Sequence, residues 1–410
     1  MSNLSEVMNA KVCLPKAIPN DWSWESLDKI CKPKQWKTIS SSDMTDSGYP
    51  VFGANGFIGY YSEYNHAIET IAITCRGNTC GTINRIPAMT YITGNSMALE
   101  GIDEKNVLRG YLYYALKYRT VTDAISGSAQ PQITAANLKH VKFPVAPLPE
   151  QKKIAAILTS VDDVIEKTQA QIDKLKDLKT GMMQELLTRG VGVDGKPHTE
   201  FKDSPVGRIP KGWGVVSADS VTDAVMVGVV VKPTQYYVES GVPALRSANV
   251  RELGLTLANL KYFSPESNEL LSKSKLQLGD LLTVRTGYPG TTAVVTDKFV
   301  GTNCIDVVIT RPSKLIDSNY FAMWVNSDSG KGQVLKAQGG LAQQHFNVGD
   351  MRSLLIALPS IQEQVQIFRS IHSITQKIEV MQSKYSKLCD TKKALMQDLL
   401  TGKVRVKVDS

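Results

Sequence analysis

The chain carries a long internal repeat, and this repeat limits its possible folds more than any other feature. Residues 150–191 align without a gap to residues 363–404, at a constant offset of 213 positions, and 17 of the 42 aligned positions are identical. Chance does not produce this agreement over ungapped segments, so the chain contains two copies of one structural plan. Its 410 residues also exceed the roughly 250–300 at which a single hydrophobic core stops growing.

Both copies of the repeat are predicted to be long helices. Neither contains proline, and apolar residues recur at alternating spacings of four and three over five heptads, which is typical of a coiled-coil seam. Because neither helix can bury its stripe alone, we predict that the stripes pack against each other; two separate core helices are the alternative. Lys179 and Lys392 share one seam position, where they set register, end the seam or extend to solvent. The predicted seam consists of Ile154, Leu158, Val161, Ile165, Ile172, Leu175, Ile367, Ile371, Ile374, Ile378, Tyr385 and Leu388.

Two divergent segments precede the two helices, and we call them variable domains 1 and 2. Their beginnings match, since Ile18-Pro19 with Trp22 resembles Ile209-Pro210 with Trp213. Short alternating runs at 70–74, 280–286 and 302–310 predict strands, and 110–118 and 318–325 predict short helices. The predicted plan is an N-terminal extension (1–17), variable domain 1 (18–147), a central helix (148–189), a linker (190–208), variable domain 2 (209–360), a C-terminal helix (361–402) and a tail (403–410).

Composition excludes several classes of protein. Hydrophobic residues make up 42% and charged residues 21%, which is typical of a globular chain. The apolar run 225–231 is far too short to span a bilayer, and the first twenty residues show no secretory signal, so we expect neither a membrane protein nor a secreted one. The formal charge of +8 is compatible with a polyanionic partner.

Cysteine usage predicts a reducing compartment, and we expect the protein in the cytoplasm. The six cysteines form no Cys-x-x-Cys pair and the five histidines are scattered, whereas zinc needs closely spaced ligand pairs. The nearest approach to such a pair is Cys75 with Cys80, which we interpret as two ordinary thiols.

The duplicated plan, together with several local motifs, resembles the specificity (S) subunit of a type I restriction-modification system. Leu148-Pro149-Glu150-Gln151 and Leu358-Pro359 with Glu363-Gln364 are similar to the family's helix starts, and 184–188 and 397–404 to its helix ends. Residues 49–60 and 279–290 look like two subtypes of target-recognition domain. The resemblance covers nearly the whole chain.

This resemblance implies that each variable domain is a target-recognition domain that reads one half of a split DNA sequence. The helices would set the gap between the halves and dock two methyltransferase subunits, to which restriction subunits attach. It implies no catalytic centre and no cofactor in this chain; S-adenosylmethionine, ATP and Mg would belong to the partners. We therefore expect an α+β fold: two α/β domains, mainly strand-rich, separated by two long antiparallel coiled-coil helices in a pseudo-twofold arrangement.

Candidate DNA contacts follow from residue chemistry, since lysine and arginine bind phosphates, arginine pairs with guanine and glutamine with adenine. A lysine cluster lies early in variable domain 1, an arginine beside glycine ends a strand-like run in each domain, and glutamines lie in matched glycine-rich loops. A solvated loop, a structural ion pair and a turn cap are the respective alternatives. The candidates are Lys32, Lys34, Gln35, Lys37, Arg76, Asn78, Gln130, Arg246, Asn249, Arg285, Tyr288, Gln343 and Gln344.

A standalone DNA methyltransferase or nuclease is one alternative function. An adenine methyltransferase would show an Asn/Asp-Pro-Pro-Tyr/Phe loop, which the sequence lacks, 329–332 lacks the flanking residues of a P-loop, and no spaced set of carboxylates with a lysine indicates a nuclease site. A coiled-coil scaffold without a nucleic-acid role is the remaining alternative; its properties would be insensitive to salt, unlike those of a phosphate-binding protein.

Overall fold

The computed structural model describes residues 14–54, 56–127, 130–192, 196–252, 254–337 and 345–408. The chain divides into two compact units, Met1–Ala170 with Gln382–Ser410 (unit 1) and Gln171–Met381 (unit 2). Each unit therefore contains one variable domain and a part of both long helices. Across the described ranges, no helix is both long and apolar enough to cross a membrane.

Variable domain 1 is built on a four-stranded antiparallel sheet in the order β2-β8-β5-β6. Its central strand β5 reads Thr-Ile-Ala-Ile-Thr and is buried throughout, as expected for a β-branched run covered on both faces. A smaller sheet, β4-β3-β7, contains one parallel pair, and β1 pairs with β9. The strands are β1 (Ser23–Ser26), β2 (Lys32–Gln35), β3 (Tyr49–Gly53), β4 (Gly56–Tyr61), β5 (Thr70–Thr74), β6 (Ile83–Ile86), β7 (Tyr91–Ile92), β8 (Ser96–Glu100) and β9 (Lys142–Val145), and the short helices are α1 (Leu27–Ile30), α2 (Arg109–Arg119) and α3 (Ala135–Leu138).

Variable domain 2 repeats the main-sheet topology with different residues, and its second sheet, β14-β18-β15-β21, has one strand more than that of variable domain 1. Its main sheet has the order β13-β22-β19-β20, a second sheet contains the parallel pair β15-β21, and β12 pairs with β23. The strands are β10 (Phe201–Lys202), β11 (Ile209–Pro210), β12 (Gly214–Ser217), β13 (Thr222–Val227), β14 (Tyr237–Val238), β15 (Val242–Leu245), β16 (Val250–Arg251), β17 (Gly254–Leu255), β18 (Lys261–Phe263), β19 (Leu281–Val284), β20 (Thr292–Val294), β21 (Asn303–Cys304), β22 (Val307–Pro312) and β23 (Leu355–Leu358). Its helices, numbered after the central helix α4, are α5 (Pro265–Leu270), α6 (Ser318–Asn326), α7 (Asp328–Ala337) and α8 (Val348–Ser353).

The two repeats form the two longest helices, α4 (Leu148–Arg189) and α9 (Ile361–Leu400). The predicted seam coincides with their buried face. Its fully buried members are Ile154, Leu158, Ile172, Ile367, Ile371, Ile374 and Ile378, and its half-buried members are Val161, Ile165, Leu175, Tyr385 and Leu388.

Within each unit the two helices run antiparallel. In unit 1, Ile154 and Leu158 share a core with Leu399 and Leu400. Farther along α4, Asp162 pairs with the seam residue Lys392. Positions later in α4 thus contact positions earlier in α9, which is the antiparallel arrangement.

In unit 2 the end of α4 shares a core with the beginning of α9. Leu187 of α4 packs in the same hydrophobic cluster as Ile367 and Ile371. The end of one helix thus lies beside the beginning of the other, as in unit 1.

Each variable domain is joined to its long helix by a matched set of hydrogen bonds. In unit 1, Trp22 Nε1 donates to Glu150 Oε2 at 3.2 Å, and Gln151 accepts from Leu108 N at 2.8 Å and donates to Ala146 O at 2.7 Å.

The joint in unit 2 uses equivalent atoms. Trp213 Nε1 donates to Glu363 Oε2 at 2.9 Å, and Gln364 accepts from Asp317 N at 2.8 Å and donates to Pro359 O at 3.0 Å. Glutamate and glutamine are thus buried at the start of each helix because the helix start must anchor the domain before it.

The joints differ in the groups that bond to the buried glutamate. Arg405, which follows α9, bonds to Glu150 in unit 1. In unit 2, Glu363 accepts from His198 and from the backbone N–H groups of Val191 and Gly192, at 2.8, 3.1 and 3.0 Å.

Candidate nucleic-acid interface

Strand β2 presents the predicted lysine cluster of variable domain 1. Lys32, Lys34 and Lys37 are all exposed. Lys34 Nζ lies 3.7 Å from the centre of the Trp36 ring and 3.8 Å from a carboxylate oxygen of Glu100, so this lysine is held within the domain. Lys32 and Lys37 are therefore the better candidates for phosphate contacts.

Three distant stretches of variable domain 1 converge on Cys75, directly after β5. Gln35 Nε2 donates to Cys75 Sγ and to Gly94 O, both at 2.9 Å. Arg76 forms an antiparallel bridge with Gln132, and Ile133 N donates to Cys75 O at 3.0 Å. The fold therefore gathers exposed candidates that are remote in sequence, namely Gln35, Arg76, Asn78 and Gln130.

The tip of the β3–β4 hairpin adjoins the same place. Ala54 O accepts from Thr74 Oγ1 at 2.9 Å and from Thr79 Oγ1 at 3.2 Å. Beyond the tip, Phe57 and Ile58 are exposed. Sequence reasoning missed these two apolar side chains, although an Asn-Gly turn between alternating apolar residues is a hairpin signal.

The corresponding place in variable domain 2 follows β19. Arg285 Nη1 donates to Asp306 Oδ1 in an ion pair, and Arg285 O accepts from Phe346 N at 3.0 Å. Tyr288, in the loop that follows, is 84% exposed. Gln343 and Gln344 lie outside the described residues, just before this segment.

The repeat makes these two places equivalent. Phe346 stands 213 positions after Ile133, the offset of the helices, and both bond to the first residue after the matched strand. Arg285 therefore corresponds to Cys75, and Arg76 to the residue after Arg285. The two predicted strand-end arginines accordingly occupy successive positions of one frame, not the same position.

Arg246 and Asn249 have structural roles in variable domain 2. Asn249 is fully buried, its side chain donates to Thr256 O at 3.0 Å and to Ala258 O at 2.8 Å, and it accepts from Arg246 N at 3.0 Å. Arg246 Nη2 donates to Asn259 O at 2.8 Å. Base contact by Asn249 would require these bonds to break, so we leave Asn249 out of the proposed interface. Arg246 gives one of its five donors to Asn259 and stays a candidate.

The thiols near the interface are not reactive groups. Burial raises the pKa of the Cys75 thiol, and burial raises that of the Cys80 thiol to about 11. Both thiols are therefore protonated at neutral pH, which is a poor state for metal binding. In the ranges that the structure describes, no group of three or more His, Cys, Asp or Glu side chains is placed to hold a metal ion.

Comparison with known protein families matches both halves of the chain. The family described as "Type I restriction modification DNA specificity domain" matches residues 19–177 and 211–389. These ranges contain both variable domains and most of both long helices.

Named relatives share the same description. The chain is 29% identical over 327 residues to the type I restriction enzyme MjaVIII specificity subunit of Methanocaldococcus jannaschii, covering 76% of this chain and 74% of that protein. It is 22% identical over 288 residues to the EcoBI specificity subunit of Escherichia coli, covering 67% and 60%.

Solved structures show the same fold. The S subunit of a type I restriction-modification system from M. genitalium superimposes with a TM-score of 0.64 at 14% identity, covering 98% of this chain and 99% of that one. A chain from a study of complex assembly and conformational transition in the type I R-M system gives a TM-score of 0.54 at 17% identity, covering 95% and 100%.

Proposed function

The chain belongs to the type I restriction-modification DNA specificity family, and from this membership we propose that each variable domain reads one half of a bipartite DNA target. Membership confirms the resemblance that the sequence motifs indicate, and the α+β fold of two domains with long helices is likewise confirmed. The protein is a specificity subunit, whose recognition of DNA is the property that the family name describes.

One observation gives the strongest support to the proposal that the two variable domains read different half-sites. The main sheets of both variable domains share strand order and pairing, and both domains share the joint, yet Cys75, Arg76 and Asn78 after β5 stand where Arg285, Thr286 and Tyr288 stand after β19. A common frame with different chemistry at one place is what recognition of two different half-sites requires. In variable domain 1 the proposed contacts are Lys32, Lys34, Gln35, Lys37, Arg76, Asn78 and Gln130, and in variable domain 2 they are Arg246, Arg285, Tyr288, Gln343 and Gln344.

The long helices are proposed to set the gap between the half-sites. A helix of the 42 residues of α4 is about 60 Å long at about 1.5 Å per residue, so it can hold two readers at separated places on a duplex. The joints support this role, because the helices can determine the distance between the half-sites only if each variable domain is held firmly to its helix.

The outer faces of α4 and α9 are proposed to dock two methyltransferase subunits, through which restriction subunits attach. Exposed lysines lie on these faces, for example Lys167 and Lys174 on α4 and Lys384 on α9. We propose that S-adenosylmethionine, ATP and Mg act in those partners and that this chain contributes recognition alone, in the cytoplasm.

Exchange of one variable domain tests the proposal. Residues 209–357 are replaced by the corresponding segment of another specificity subunit, and methylated sites are mapped with the chain's own methyltransferase subunits. One half-site and the gap should be kept while the other half-site changes. A target altered in both halves, or in neither, would contradict the assignment of one half-site to each domain.

A further inference from the structure

An arginine–aspartate pair stands at the end of β19 in variable domain 2. The side chains of Arg285 and Asp306 are 22% and 47% exposed, and Arg285 Nη1 donates to the carboxylate. Arg285 Nε is buried without a hydrogen-bond partner in the part of the chain that the structure describes. The guanidinium is thus held by Asp306 through Nη1, its Nε faces the protein interior, and part of the side chain is open to solvent.

The backbone holds Asp306 in an unusual conformation. Its φ of +51° lies in the left-handed region, which aspartate tolerates better than most residues other than glycine. The Asp306 N–H donates to Val229 O at 3.2 Å, which ties the residue to the segment after β13. Such conformations cluster at ligand sites, because the surrounding structure must be built to maintain them.

Exposed side chains follow in sequence on both sides of the pair. Val231 is 72% exposed two residues beyond Val229, and Tyr288 is 84% exposed three residues beyond Arg285. Arg285 O also accepts from Phe346 N at 3.0 Å, which ties the end of β19 to the segment from His345 onwards.

We propose that Arg285 reads a guanine in the half-site of variable domain 2 and that Asp306 is the residue that positions it; this rests on the proposed function. Guanine presents O6 and N7 as two acceptors in the major groove, and arginine binds both at once. Its guanidinium has five N–H donors. With Nε buried and one Nη1 donor given to Asp306, the Nη2 group and the second Nη1 donor remain for a base.

Base contact fits the pair better than phosphate contact. An exposed carboxylate beside the guanidinium repels a phosphate and cancels the charge that would attract it. The same carboxylate strengthens base reading, since it holds the long arginine side chain in one orientation and so lowers the entropy lost on binding.

Variable domain 1 has different chemistry at the equivalent place. Cys75 stands where Arg285 does, and the neutral amide of Gln35 is the polar group bonded to it. The two domains therefore differ in charge at one position of a shared frame. The proposal therefore concerns guanine reading at this position, which only variable domain 2 fills with an arginine.

The test measures base preference in the assembled complex. The protein with its methyltransferase subunits selects duplexes from a library randomised in both half-sites, for the wild type, Arg285→Ala, Arg285→Lys and Asp306→Asn. Arg352→Ala is the matched control, because Arg352 pairs with Asp219 at 3.4 Å on the same domain but away from β19.

Arg285→Ala should lower the preference for guanine at one base pair by about ten- to a hundredfold, while the other half-site is unchanged. Asp306→Asn should lower preference at the same base pair by a smaller factor. Arg285→Lys, which keeps the charge but loses the two-pronged geometry, should retain binding to unrelated DNA and lose the guanine preference.

Unchanged preferences in these variants, or a uniform loss at every position, would overturn the proposal while leaving the recognition function intact. A wild-type complex without any sequence preference would instead overturn the proposed function itself.

Discussion

The strongest prediction on stability concerns the joint of unit 1, where Gln151→Ala should loosen variable domain 1 from α4. Gln151 is fully buried. Its side chain accepts from Leu108 N at 2.8 Å and donates to Asn106 O at 2.9 Å and to Ala146 O at 2.7 Å. Alanine removes all three bonds and offers no replacement.

The magnitude follows from the groups left behind. A buried polar group without a partner costs about 1–3 kcal/mol. Asn106 is exposed, so water can satisfy its carbonyl, whereas Ala146 is buried and Leu108 is half-buried. We therefore expect a loss of about 3 kcal/mol in the local free energy of opening, which corresponds to roughly a hundredfold faster amide exchange.

Hydrogen exchange with mass spectrometry measures this opening separately in each unit, which a single melting curve of a two-unit chain cannot do. Peptides over 104–112 and 144–152 should lose protection, while the equivalent peptides over 313–321 and 357–365 in unit 2 should not. Gln364→Ala should give the mirror result, and Lys152→Ala, at an exposed neighbouring position, should change neither.

Equal loss of protection in both units, or none in either, would refute the claim that each domain has its own matched joint.

Other measurements test the core, the charge state and the DNA contacts. Ile371→Ala, at a buried seam position, should lower the free energy of opening of unit 2 by about 2–5 kcal/mol, measured by hydrogen exchange of unit 2 peptides, whereas Val380→Ala, at an exposed position of the same helix, should change it by less than about 0.5 kcal/mol. Burial lowers the pKa of His66, so the unfolded chain binds more protons than the folded chain. Variable domain 1 should therefore be most stable above about pH 6.5 and lose stability as the pH falls below it. His66→Gln should flatten this pH dependence in hydrogen-exchange experiments. Lys37→Ala should weaken binding of the assembled complex to all duplexes alike and reduce the slope of log affinity against log salt by about one, and an unchanged slope would remove Lys37 from the phosphate contacts.

The repeated segments were the predictable part of the fold. The 3.5-residue stripe indicated both long helices, which begin and end close to the predicted bounds, because heptad periodicity is a local property of the sequence. Strand 70–74 was also predicted correctly. Lys392 could be placed on the seam but not explained, since its partner Asp162 lies on the other helix.

The common topology of the variable domains could not be predicted. The strands of their main sheets pair in the same order, yet β5 and β19 share little beyond apolar character, so the internal repeat visible in the sequence does not extend to them. The predicted strand 302–310 is divided by Asp306, whose left-handed backbone ends β21 and lets β22 begin one residue later. Backbone geometry of this kind depends on tertiary contacts, which periodicity does not encode.

The candidate site was predictable as residue types and not as an assembly. Arg76 and Gln130 were predicted as candidates on two separate loops. The structure brings these loops together through the bridge between Arg76 and Gln132. The residue type of Asn249 suggested a contact with a base. In the structure its side chain is buried, and its amide donates to Thr256 O and Ala258 O. The partner of Arg285 was missed, because Asp306 is remote in sequence and has no motif around it.

Mapping of methylated positions on genomic DNA tests the central claim most directly. The chain is expressed with its methyltransferase subunits in cells that lack other DNA methylation, and every modified base is located. The account predicts one asymmetric target made of two short half-sites with a gap of fixed length and unspecified sequence. A continuous target, a gap of variable length or methylation without sequence preference would contradict it.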